Sequence, residues 1–236
     1  MLARKSNGPA NLAKAAATAA LALAFALGVL PALALEQGEF QAGLYTAPDE
    51  LFTVRSPLGP SPIVIDSFDH SAGAVTFVNE EGGLFGVICT PNFDVLAGVK
   101  GNDAETDLAI LRNWLHDATF PLFFKRQLPG AAILQEGAAT FEGRPAWIAV
   151  MQLPHGSALF RNDPETGLPV RQDSYRGLIV FSRGDHTYLI MTEVDPQLAW
   201  NSFLPKLSEF YRGISFRSPD APLVLQTFAD VQDAGN

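Results

Sequence analysis

The sequence predicts an α+β fold in which a mainly antiparallel sheet is flanked by helices. Three observations point there. Short runs rich in Val, Ile, Phe and Tyr recur along the chain, separated by Gly, Asn, Asp and Pro, the punctuation of strands joined by turns. Such runs outnumber the helical ones. Two segments, 103–120 and 195–213, instead carry apolar residues at helical spacing, and each stripe must be buried against another layer.

Taken in order, GLYTAPDELFTVRSP (43–57) reads as strand, turn, strand, with Pro48-Asp49 supplying the turn chemistry. Leu51, Thr53 and Arg55 alternate with Phe52, Val54 and Ser56. PLGPSP is a stiff connection, and PIVIDSF (62–68) is a β-branched strand. GAVTFV (73–78) and LFGVICT (84–90) flank NEEGG, a hairpin with a longer loop. Over 103–120 the period changes. Leu108, Leu111, Leu115 and Ala118 line one helical face, Asn102 or Asp103 can cap it, and Asp103, Glu105 and Asp107 favour its dipole. Pro121 is expected to end or kink this helix, with FFKRQ as its alternative continuation to a firm stop at Pro129-Gly130.

AAILQEGAATFEG (131–143) and RPAWIAVMQLP (144–154) then meet at Glu142-Gly143. HGSALFRNDPETGLPVRQDS (155–174) reads as a polar surface loop. SYRGLIVFSR and HTYLIMTE bracket Gly184-Asp185, two β-rich runs around a tight turn. The Arg183-Gly184-Asp185 tripeptide is therefore a bend. Asp185 and His186, as strand neighbours, are expected to point to opposite faces. In the last helix Asp195 caps, Pro196 takes the first position and Gly213 stops it. Trp200, Phe203, Leu204, Leu207, Phe210 and Tyr211 form its stripe. GISF (213–216) is a final strand, and 217–236 a flexible tail.

The N-terminus reads as an address. Arg4, Lys5 and Lys14 precede an apolar run, 15–34, ending in Ala32-Leu33-Ala34, which is what a cleaved Sec-type export signal requires. A retained anchor is the alternative. Removing 1–34 moves the net charge from −9 to −12, since it removes three basic residues and no acidic one. That balance opposes binding to nucleic acid or anionic lipid. The expected organisation is a signal over 1–34, one domain over 35–216, and the tail. The compartment is the periplasm or medium, and the membrane is met only through the transient signal.

Chemistry-bearing motifs are sparse. G-x-S-x-G, a P-loop, G-x-G-x-x-G after a strand and C-x-x-C do not occur. The four histidines have no metal spacing. Surface positions are expected for His70 and His155, a helix face for His116 and a hairpin edge for His186. Asp163 and Glu165 fall short of a calcium cage. Cys89, the single cysteine, lies in an apolar run and reads as a buried thiol. No catalytic residue, metal or cofactor is expected.

The order of elements resembles the Mog1/PsbP-like family. GLYTAPDELFTVRSP resembles its opening strands, and AVTFVNEEGGLFGVI the next hairpin. YRGLIVFSRGDHTYLIMT and FLPKLSEFYRGISF resemble its late hairpin, last helix and final strand. The resemblance implies an α/β/α sandwich over about residues 43–216 and a non-enzymatic role in assisting or binding other proteins. No functional residue of the family maps here by a specific motif.

The expectation is an exported, non-enzymatic accessory or interaction protein of the bacterial envelope with a protein partner there. Phe160, Arg161, Asp163, Glu165 and Arg171 are its candidate binding residues, an aromatic among charges of both signs. The acidic first turn of the 103–120 helix is the next candidate. A hydrolase assembled from Ser157, His155, Asp185 and His186 is one alternative. A carrier of small apolar ligands, suggested by 17 Phe, is another.

Overall fold

The structure, a computed structural model, describes residues 36–69, 72–79, 83–92, 103–126, 128–157, 160–198 and 201–217. The export segment, His70 and all of the tail beyond Arg217 lie outside the described residues. The strands are β1 Glu39–Gln41, β2 Leu44–Thr46, β3 Phe52–Arg55, β4 Ile63–Asp69, β5 Ala72–Val78, β6 Leu84–Pro91, β7 Ala132–Phe141, β8 Arg144–Leu153, β9 Phe160–Asn162, β10 Pro169–Arg171, β11 Ser174–Arg183, β12 His186–Glu193 and β13 Ile214–Phe216. The helices are α1 Ala104–Asn113, α2 Trp114–Lys125 and α3 Leu204–Arg212.

Seven strands form the main sheet in the order β4-β5-β6-β12-β11-β8-β7, with every pairing antiparallel. A small sheet runs β1-β2-β3-β13, and β9 pairs with β10 alone. Along β11, Ile179 and Phe181 join one hydrophobic cluster, whereas Leu178 and Val180 join another. Alternation at period two sends them to opposite faces. The first face is covered by α3, through Leu207, Phe210 and Tyr211, and by the small sheet, through Tyr45, Phe52, Val54 and Ile214. The second is covered by α1 and α2, through Leu111, Leu115 and Phe124. Because both faces are covered, β12 is buried along HTYLIMT, which explains its nearly unbroken apolar run. The fold is thus α+β, mainly antiparallel, with helices on both faces; on the α3 side a second sheet shares their layer.

Several expectations hold locally. Asp103 caps α1 by accepting from Thr106 N at 2.8 Å. Glu142-Gly143 and Gly184-Asp185 each close a two-residue hairpin, with Gly184 at φ +61°, which glycine adopts without steric cost.

Others are corrected. A strand, β1, precedes the expected first one and pairs with β2 across Ala42-Gly43. Pro121 does not end the helix, which runs on through FFK to Lys125 as the continuation toward Pro129-Gly130 allows, but the winding is not the expected α type. A proline in an α-helix clashes with the carbonyl four residues back. From Trp114 the chain widens to π-type winding, and Arg126 N bonds Pro121 O, five residues back, at 3.0 Å.

The last helix starts later than Asp195. Asp195 Oδ1 accepts from Gln197 N at 2.9 Å and Leu198 N donates to Asp195 O at 3.1 Å, closing a turn. α3 begins at Leu204, with Pro205 in its first turn. A helix running from 195 to 213 would hold Pro205 in its interior, where its missing N–H and ring are costly.

Candidate functional site

The polar segment 155–174 is not a plain loop. Phe160 pairs with Arg171, Arg161 with Val170 and Asn162 with Pro169, so β9 and β10 make a hairpin arm outside both larger sheets. Its tip is a turn organised by one carboxylate. Asp163 Oδ1 accepts from Glu165 N at 2.9 Å, Thr166 N at 2.8 Å and Thr166 Oγ1 at 3.1 Å. These bonds, Thr166 N–H foremost, hold the Asp163 carboxyl below its usual range. This carboxylate builds the turn, and no group of three or more His, Cys, Asp or Glu poised for a metal ion occurs among the described residues. Glu165 is exposed beside it, and Leu168 is 63% exposed.

The foot of the arm is pinned from several directions. Ser157 N donates to Gln172 O at 3.1 Å, and His155 Nδ1 donates to Arg171 O at 3.0 Å. Asp173 accepts from His155 N and from Gln152 Nε2, each at 3.1 Å, and these bonds lower its carboxyl in that order. Beneath them lies Arg176, which sequence reasoning missed. Its Nη2 donates to Gly156 O at 3.2 Å, and its Nε is buried without a hydrogen-bond partner. Burial pushes this guanidinium down to about 10 against the opposing influence of Glu193, so it remains charged at neutral pH. The available signal was parity. Arg176 stands in register with Leu178 and Val180, at the start of the strand's apolar centre.

The predicted binding residues therefore come together on one arm, with Phe160 and Arg161 in β9, Asp163 and Glu165 at the tip, and Arg171 in β10. The hydrolase set does not assemble. Ser157 and His155 sit beside the start of β11, whereas His186 pairs with Arg183 at its end. Nine residue steps of strand separate the two places by about 30 Å.

At that far end the structure corrects the expectation that Asp185 and His186 point to opposite faces. His186 lies at the hairpin end as expected, but it is buried there, and its Nδ1 donates to Asp185 Oδ1 at 2.7 Å. Asp185 belongs to the turn, so strand alternation does not govern its side chain. The remaining ring nitrogen, Nε2, is buried without a partner. Ser182 Oγ donates to the His186 carbonyl at 3.2 Å rather than to the ring, so it is not arranged as an activated nucleophile. Asn92 braces this corner, its side chain bonding Gly184 O at 3.1 Å and accepting from Thr187 Oγ1 at 2.6 Å.

A second polar cluster ties α1 and α2 to the outer strand of the sheet. Glu136 Oε2 accepts from His116 Nε2 at 2.7 Å and Trp147 Nε1 at 2.9 Å, and Arg112 Nε lies 3.5 Å from Oε1. These contacts join helix to sheet, which accounts for His116 on its helix face.

No protein-family model matches the chain, and no curated protein matches it. Several solved structures are similar, among them two at low identity. A crystal structure from Bacteroides thetaiotaomicron is similar over 75% of this chain and 49% of its own, at 13% identity and a TM-score of 0.38, so this chain spans about half its length. The solution structure of cyanobacterial PsbP (CyanoP) from Synechocystis is similar over 80% of this chain and 98% of its own, at 13% identity and a TM-score of 0.37.

Proposed function

We propose that this chain is an exported, non-catalytic accessory protein that binds a protein partner of the bacterial envelope through the β9–β10 arm. The observation that carries the reading is the contrast between a pinned foot and a projecting tip. Residues 155–157 and 171–176 hold the foot by backbone and side-chain bonds, so the tip is presented with little conformational freedom left to lose on binding. The tip offers exposed Leu168 beside Glu165, with two arginines in the strands behind it. Such a mixture suits a small protein-recognition surface better than a ligand cavity. Export rests on the basic start and apolar run of residues 1–34.

The test replaces residues 161–170 with a short Gly-Ser linker, leaving the foot intact. Partners are captured from the native envelope with wild type and variant, both checked for folding. Loss of a specific partner with the folded variant, and with Leu168→Asp alone, is the expected result. Retrieval of the same partners in the same amounts would remove the arm from consideration. Recovered protein should begin at or near Leu35; protein still carrying Arg4 and Lys5 in the membrane fraction would make the apolar run an anchor.

A further inference from the structure

The two outer strands of the main sheet are treated differently. β4 is one edge and β7 the other. Along β4, Glu36 forms a bridge with Phe68, with N–O distances of 3.0 and 3.2 Å. Asp66 and Asp69 lie on the same strand, and Asp66 Oδ2 accepts from Gly38 N and Tyr45 OH at 2.7 Å each. A partly covered, charged edge is the usual defence against unwanted strand pairing. β7 lacks that defence. AILQEGAATF contains no proline, no basic residue and one acid, Glu136. That acid is already engaged by Trp147, His116 and Arg112 on the helix-covered face. A bulge between Ile133 and Gln135 interrupts the ladder, so Gln135–Phe141 is the regular stretch. Among the described residues, nothing pairs with its outer side.

We infer that this edge is a self-association surface, on which a second copy of the chain pairs antiparallel about a two-fold axis at Ala138. In that register the segment complements itself. Gln135 faces Phe141 of the second copy, Glu136 faces Thr140, Gly137 faces Ala139, and Ala138 meets Ala138. No like charges stand directly opposite, the arrangement that penalises cross-strand pairing. The small residues at the centre let the backbones approach. Charge also favours a second copy at this place. The chain carries a net charge of −9, so copies repel in general, whereas Glu136 with its Arg112 leaves this edge neutral. Seven residues of strand edge bury less than the roughly 1,200 Å² of a tight interface. Association is therefore weak, concentration-dependent, and strengthened by salt, which screens the repulsion.

Sedimentation equilibrium of the protein as purified from the cell, from about 10 µM to about 1 mM, reads the mass. The expected result is a rise toward twice the monomer mass, larger at high salt. Ala138 is exposed, so substitutions there leave the core alone. Ala138→Lys sets two ammonium groups against each other at the axis and is expected to weaken association roughly tenfold or more. Ala138→Cys is expected to cross-link two copies through a short thiol-reactive linker. A single monomer mass across the range overturns the inference, as does association that Ala138→Lys leaves unchanged. Alternate amides of Gln135–Phe141 already bond β8; protection from hydrogen exchange of the others, which point away from β8, in a purely monomeric sample would show that the chain covers its own edge, and would equally overturn the inference.

Discussion

His186 donates from Nδ1 to Asp185 Oδ1 at 2.7 Å, a bond between sequence neighbours at the β11–β12 turn. The bond fixes which ring nitrogen carries the proton in the neutral imidazole, because a carboxylate accepts only. The imidazole is buried while Asp185 remains about half exposed.

The first prediction follows from that bond. Asp185→Ala removes the acceptor from a buried N–H and is expected to cost about 1–3 kcal/mol. Asp185→Asn keeps an acceptor oxygen and should cost less. Urea unfolding should show the midpoint falling for Ala with the slope unchanged. Equal midpoints for Ala and wild type would mean that the bond contributes nothing.

Two glycines should respond differently to the same substitution. A methyl built on Gly177 falls onto the ring of Phe203, which is buried just before α3. Gly177→Ala is therefore an overpacking change, expected to cost about 1–3 kcal/mol. Trimming the ring with Phe203→Leu should recover part of that loss. Gly143 has open space around it but stands at φ +81°, so Gly143→Ala is expected to cost about 1–2 kcal/mol by backbone strain alone. Phe203→Leu should not rescue it, and a rescue there would contradict this division.

Acid sensitivity should run through Glu136. Burial alone would raise its carboxyl, but bonds from Trp147 and His116, with the charges of His116 and Arg112, outweigh burial and hold it below the usual range. A carboxyl depressed in the folded state stabilises the fold above its unfolded pKa, about 4.3, and loses that contribution as pH falls through the lower folded value. Glu136→Gln should lower the melting temperature at pH 7 and narrow the gap to wild type below about pH 4. A gap that stays constant with pH would show that the carboxylate charge is not involved.

Cys89 should be inert in the folded protein. Burial pushes its thiol up to about 12, with a backbone bond to Gly73 only partly opposing. The thiolate is the reactive form, so little is present near pH 8. A disulfide-exchange reagent should label the native chain very slowly and label one equivalent rapidly in denaturant. Rapid native labelling would place the thiol at the surface.

The outcome for the candidate site depended on how far its contacts reach along the chain. Residues 155–174 stand out by polarity, and their candidate residues do share one arm. The arm's strands are three residues each, too short for periodicity to declare them. Its foot depends on Gln152, Asp173 and Arg176, brought in from the neighbouring strands β8 and β11 and the link before β11. Likewise, the start of α3 was open to reading from Pro205, but the Asp195-Pro196 pair imitates a helix start and closes only a turn.

By itself, the sequence determined the features that adjacent residues decide. The α+β class, the Gly184-Asp185 and Glu142-Gly143 hairpins and the Asp103 cap follow from local backbone preference and side-chain reach. Tertiary structure alone decided the strand order, which places β12 between β6 and β11, and the division of apolar residues between two clusters. It also decided the widening of α2 from Trp114 on, the burial of His186 and Arg176, and the separation of Ser157 from His186. Each of these turns on which distant segments pack together, a choice settled by non-local burial of apolar surface and by pairing of buried polar groups.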